Sequence, residues 1–210
     1  MAQNIFVDIA EDISLPGILT VPDHSIGVVL FAHGSGSSRL SPRNTFVAAE
    51  LNKAGIATLL IDLLTEEEDF VYETRFDIDL LTRRLGAVAH WLSTHKETNN
   101  LPLGLFGAST GAASALNLAA ASPTTISAIV SRGGRPDMSM EHLPLVQAPT
   151  LLIVGGDDDV VIGLNEQAYA QLRCEKELVI IPGATHLFEE PGTLEQVAEH
   201  ATRWFVRWLK

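Results

Sequence analysis

Residues 107–111 read Gly107-Ala108-Ser109-Thr110-Gly111, between an apolar run ending at Phe106 and an alanine-rich stretch that begins at Thr110. A serine among small residues, at the join of a strand and a helix, has the form of a nucleophile elbow. Such a turn forces the serine into strained backbone angles and lifts its hydroxyl clear of the sheet. The helix that follows offers free amides and a positive dipole end where negative charge develops. A pentapeptide this short recurs by chance in roughly one chain in ten to fifteen of this length, so its meaning depends on partners. A serine hydroxyl is a poor nucleophile at neutral pH, and an imidazole must take its proton and later return it. A buried carboxylate must then fix the imidazole's tautomer and stabilise the imidazolium. The sequence supplies both types downstream, in Asp157-Asp158-Asp159 and in His186.

Those groups need a frame, and the hydropathy pattern outlines one. Short strands are expected at 5–9 and 13–21, with Leu15-Pro16-Gly17 marking a bulge or edge position in the second. The continuous apolar run at 27–32 predicts a central strand buried on both faces, and it ends in the loop His33-Gly34-Ser35-Gly36-Ser37-Ser38. A helix at 44–54, a strand at 56–63 and an acidic loop at 65–72 follow. Ile78, Leu81, Leu85, Val88 and Leu92 form a one-sided stripe that predicts a helix over 76–93. After the elbow the alternation continues: helix 110–121, strand 126–130, strand 150–154, helix 164–172, strand 177–181 and helix 193–209. No linker or repeat interrupts it. The pattern predicts one domain spanning 1–210, an α/β architecture of three layers, with a mostly parallel central sheet and helices on both faces. In such sheets ligands bind outside the carboxyl ends of the strands. All the unusual segments follow strands, so Ser109, the aspartate run, His186, the 33–38 loop and Ser131-Arg132-Gly133-Gly134-Arg135 share one edge.

Composition narrows the partners. Of 210 residues 46% are hydrophobic and 19% charged, and the formal charge of −12 argues against nucleic acid or an anionic membrane surface. No residue before Arg39 is a lysine or arginine, unlike a secretory leader, and the apolar runs are too short to span a bilayer. One cysteine, Cys174, precludes an internal disulfide framework. A cytoplasmic protein is the expectation. No second cluster has metal-ligand spacing, and no Walker lysine follows the glycine-rich 33–38 loop, so neither a metal nor a cofactor is expected.

The order serine, acid, histidine is that of α/β-hydrolases, and the motifs deepen the likeness. Phe31-Ala32-His33-Gly34-Ser35-Gly36-Ser37-Ser38, Phe106-Gly107-Ala108-Ser109-Thr110-Gly111, Val130-Ser131-Arg132-Gly133-Gly134-Arg135, Val154-Gly155-Gly156-Asp157-Asp158 and Pro182-Gly183-Ala184-Thr185-His186-Leu187-Phe188 resemble the dienelactone-hydrolase-like superfamily. The form is compact, without a large cap domain. It is particularly similar to hydrolase modules found alone or joined to a phosphoribosyltransferase-like domain. The resemblance implies Ser109 as nucleophile, His186 as general base, and an acid after the strand at 150–154. The pattern G-x-x-D laid on Gly155 points to Asp158, with Asp157 next. It also implies an oxyanion hole made by the backbone N–H groups of Thr110 and Ser35. Dienelactone hydrolases proper carry cysteine in the elbow, whereas this chain has serine.

The implied reaction is cleavage of an ester, thioester or lactone of a small molecule through an acyl-enzyme. An acyltransferase with the same triad, and a non-catalytic scaffold with this fold, are the alternatives. Arg39, Arg43, Arg132 and Arg135 lie in or just after two loops of this edge and are candidates for a cationic pocket that binds a carboxylate or phosphate of the substrate, with Arg39, Arg132 and Arg135 as candidate substrate-binding residues, against pairing with local acids such as Asp137 and Asp158. His33 is either a further substrate contact or a loop-shaping residue held by a backbone hydrogen bond. Phe70 and Tyr72, beside the acidic loop, could form a small flap.

Overall fold

Helices cover both faces of the central strands, which is why those strands read as unbroken apolar runs. In the computed structural model, which describes residues 2–10 and 12–210, β3 (Val28–Ala32), β4 (Ala57–Ile61), β5 (Leu103–Ala108) and β7 (Thr150–Gly155) are buried at every position. With β6 (Ile126–Arg132) and β8 (Lys176–Ile181) they run parallel, while β1 (Ala2–Ala10) and β2 (Ile13–Thr20) add an antiparallel hairpin. All eight strands form one sheet in the order β1-β2-β4-β3-β5-β6-β7-β8. The expected span 1–210 includes Met1 and Glu11, which lie outside the described residues.

Side chains alternate between two cores, as the pleat requires. Val29, Phe31 and Phe106 pack with Val47, Leu51, Val197 and Phe205, from helices α1 (Pro42–Lys53) and α6 (Thr193–Trp208). Val28, Leu30 and Leu105 face the other way, onto Leu81, Leu85, Leu116 and Ala168. These belong to α3 (Ile78–Thr94), α4 (Thr110–Ala121) and α5 (Asp159–Gln171). The Phe31 and Phe106 rings stack across adjacent strands at 4.8 Å. Three layers result, without a large cap: between β6 and β7 the chain makes only two short 3-10 turns.

Three local expectations need correction. The acidic stretch 65–72 is not simply a loop, because it holds the short helix α2 (Glu66–Asp69). Thr65 and Glu68 close a capping box around its first turn, and the nearly buried Arg84 on α3 pairs with Glu68 and donates to Leu63 O at 3.1 Å. The helix expected at 164–172 begins at Asp159 instead. Its β-branched start, Val160-Val161-Ile162, and Gly163 are weak helix formers. Tertiary contacts override them: Val161 is buried and Asn165 Nδ2 donates to Gly134 O at 3.0 Å. Finally, β2 is an interior strand between β1 and β4, and the ladder irregularity lies between Asp8 and Ala10 on β1 rather than at Pro16.

No helix among the described residues is long and apolar enough to cross a membrane.

Candidate active site

The elbow begins with steric necessity. Ser109 has φ 50° and ψ −119°, left-handed backbone that a non-glycine residue adopts at a cost on the order of 1–3 kcal/mol. Its neighbours have no room for side chains: a Cβ on Gly107 would lie 2.4 Å from Ala112 Cα, and one on Gly111 2.2 Å from Ala32 O. Backbone bonds hold the strain in place. Ser109 N–H donates to Arg132 O at 3.2 Å, and Ser109 O accepts from Arg135 N–H at 3.1 Å and from Ala112 N–H at 3.1 Å. The turn is thereby tied both to the loop after β6 and to the helix it starts. The Ser109 hydroxyl makes no hydrogen bond among the described residues.

The acid turn and the histidine loop are laced together by backbone. Gly156 N–H donates to Ile181 O at 2.8 Å and Asp157 N–H to Ala184 O at 2.9 Å, while Gly155 lies too close to Ala184 O for any side chain. Of the three adjacent aspartates, Asp158 meets the imidazole, with His186 Nδ1 and Asp158 Oδ2 2.6 Å apart. Asp158 is 16% exposed and His186 38%, so the carboxylate is shielded while the ring reaches the surface. A proton on Nδ1 shared with this carboxylate leaves the Nε2 lone pair to act as base. Gly133, at φ 51°, passes under the ring, and a Cβ there would sit 3.4 Å from His186 Cε1. Beyond His186, Glu190 accepts from both the N–H and the hydroxyl of Thr185, at 3.0 and 2.7 Å, which holds its carboxyl below the usual range.

The loop after β3 closes the other side. A Cβ on Gly34 would lie 3.0 Å from Ser109 Cβ, so only glycine lets this loop pack against Ser109 without displacing it. Ser35 N–H donates to Thr110 Oγ1 at 2.9 Å. His33 is buried with two backbone partners: Leu63 N–H donates to Nε2 at 3.1 Å, so the proton sits on Nδ1, which lies 2.9 Å from Gly34 O. Those bonds shape the loop. A cavity of about 350 Å³ adjoins it, with Ser37, Ser38, Arg39, Phe70 and Arg75 in its wall. Arg75 carries no local sequence signal that would set it beside this loop. It donates to Asp69 O at 2.7 Å and to the Asp69 carboxylate, and it stands within 3.7 Å of where a Gly36 side chain would begin.

The candidate arginines separate. Arg39 is paired with Asp62. Arg135 grips Asp137 with two bonds of 2.8 Å, which raise its pKa. Arg132 is 7% exposed and points into the layer beneath the histidine loop, where burial, with Arg43 adding, pushes it down to about 10. It therefore stays charged at neutral pH. Cys174 is half-buried on a distant strand connection, and burial raises its thiol above the ordinary value.

A strained serine, a carboxylate-held imidazole and a helix N-terminus on one strand edge define an α/β-hydrolase, and the chain belongs to that family. The alpha/beta hydrolase domain model matches residues 25–208. A dienelactone hydrolase from Anabaena variabilis is 52% identical in sequence, with a TM-score of 0.97 over 100% of this chain and 99% of that one. Est1E from Butyrivibrio proteoclasticus shares the fold at 17% identity, with a TM-score of 0.84 over 97% of this chain and 98% of its own. A Mycobacterium tuberculosis protein that carries a phosphoribosyl transferase name is 55% identical over 94% of this chain and 45% of its own length. The chain thus spans about half the length of the curated relatives at that identity.

Proposed function

We propose that the protein is a serine hydrolase that cleaves an ester, thioester or lactone of a small molecule. The observation that carries this reading is the 2.6 Å contact between His186 Nδ1 and Asp158, on the same strand edge as the strained Ser109. Ser109 Oγ attacks the carbonyl carbon while His186 Nε2 takes its proton. The oxyanion that forms is met by Thr110 N–H, which as the first amide of α4 has no intrahelical acceptor, and by Ser35 N–H once it turns from Thr110 Oγ1. His186 passes the proton to the leaving oxygen or sulfur, and the acyl group stays on Ser109. Water, deprotonated by the same imidazole, then attacks the acyl-enzyme and restores the serine. The serine–histidine hydrogen bond, not made in the resting protein, forms when substrate is bound.

The 350 Å³ cavity beside the 33–38 loop would take one arm of the substrate. Arg39 already holds Asp62, Arg75 holds Asp69, and Arg135 holds Asp137. This arm is therefore recognised by shape and hydrogen bonding rather than by a free cation, which favours an uncharged group over an anionic one. Dienelactone hydrolase in name and fold, the Anabaena relative supports a lactone or enol ester as one substrate class to test.

The test is covalent. A fluorophosphonate probe should add its mass to the peptide containing Ser109 in wild-type protein and not in Ser109→Ala. A folded protein that takes up no probe, and turns over no member of a panel of esters, thioesters and lactones, would overturn the reading.

A further inference from the structure

Arg132 is the last residue of β6, and its guanidinium is buried with Nε and Nη1 lacking any hydrogen-bond partner among the described residues. An ionised group so placed is costly unless a counter-charge or a full set of acceptors meets it. The charge that acts on it is another cation, Arg43, from the first turn of α1. Arg43 is in the same state in part: Nη1 donates to Glu189 at 3.2 Å, but its buried Nε has no partner. The Phe188 ring, centred 6.0 Å from Arg132 Cζ, offers only a weak quadrupole and no acceptor. Arg43 and Arg132 thus contact the consecutive residues Glu189 and Phe188, and leave three buried nitrogens without a partner among the described residues. The larger surface cavities are lined by other residues, so whatever partners these nitrogens has few atoms.

We propose that Arg43 and Arg132 together bind a small inorganic anion of halide size beneath the loop that carries His186. The same two side chains grip that loop. Arg43 holds Glu189, and Arg132 lies against Phe188, which is buried at a strained φ of 55°. An anion shared by both guanidinia cancels their repulsion and locks residues 186–189 against β6 and α1. The site is separate from the substrate cavity and does not depend on the reaction performed at Ser109.

The experiment uses the full chain exchanged into sodium gluconate, a bulky anion, and titrated with sodium chloride at constant ionic strength. The thermal midpoint and the chloride-35 linewidth are followed together. Wild type should show a saturable rise in midpoint and excess line broadening. Arg132→Met should lose both, and in gluconate alone should melt no lower than wild type, because the uncompensated charge is gone. Arg43→Gln, a change at a partly exposed side chain, should raise the half-saturating chloride concentration at least tenfold. A wild-type midpoint indifferent to chloride, or the same dependence in wild type and Arg132→Met, overturns the proposal. Should Arg132→Met fail to fold, an unchanged half-saturation in Arg43→Gln overturns it alone.

Discussion

Ser35 N–H donates to Thr110 Oγ1 at 2.9 Å, so the side chain of the residue after Ser109 fixes the position of the loop opposite it. In the resting protein the hydroxyl occupies the donor that the proposed oxyanion would use, and it fixes the loop from which that amide must turn. Thr110→Val preserves shape and removes the acceptor. It is expected to lower kcat about tenfold with KM near wild type, and to cost about 1 kcal/mol of stability for the lost hydrogen bond. Thr110→Ser should restore both, as steady-state kinetics and denaturant melts will show.

Asp158 rather than Asp157 reaches His186, while the Asp157 backbone serves the turn through Ala184 O. Asp158→Asn leaves the geometry but favours the wrong imidazole tautomer, and kcat should fall by roughly 10³ to 10⁴. Asp157→Asn should stay within about threefold of wild type, because its backbone bond is kept. Equal losses in the two variants would remove Asp158 from the proposed triad.

Much of this site was legible because short-range sterics write it directly into the chain. Gly107 and Gly111 stand where no Cβ fits, whereas among the three adjacent aspartates only the G-x-x-D pattern of the family resemblance singles out Asp158. The parallel sheet was equally legible from runs such as Val28 to Ala32. What stayed hidden depends on partners distant in sequence. Nothing near Arg135 or Arg132 says that one is matched by a carboxylate and the other buried beside Arg43. The start of α5 at Asp159 was masked by Val160, Val161, Ile162 and Gly163, whose weak propensity is offset by Asn165 reaching across to Gly134. The α2 turn carried a local signal that the acidic composition obscured: Thr65 with Glu68 three residues later.

The wall of the cavity should loosen in acid. Burial opposes the charge on Glu68, but hydrogen bonds from Arg84 and Thr65 outweigh it and hold the carboxyl below its ordinary 4.5. A carboxyl depressed in the folded state stabilises fully above that ordinary value, and its contribution is lost as pH falls through the folded value. Amides 65–76 should therefore exchange faster relative to those of β5 at pH 3.5 than at pH 6, and Glu68→Gln should flatten that difference. Exchange in both segments that accelerates in parallel would show that Glu68 does not govern this segment.

Gly133 holds φ 51° directly beneath the imidazole, where two demands meet. Its backbone region disfavours any L side chain by about 1–2 kcal/mol, and a methyl group there would sit in van der Waals contact with His186 Cε1, at 3.4 Å. The ring cannot retreat freely, because Nδ1 is held by Asp158 at 2.6 Å. Relief of the backbone strain should shift residue 133 and the ring packed on it, so Gly133→Ala is expected to lower kcat by about 10²-fold, since small displacements of a catalytic group cost that much. KM should change little, because the cavity proposed for the substrate is lined by the 33–38 loop and by residues 62–75, not by Gly133. Stability should fall by about 1–2 kcal/mol from backbone strain. If the stability loss appears without any loss of kcat, Gly133 is a requirement of the turn alone and the imidazole has room to spare.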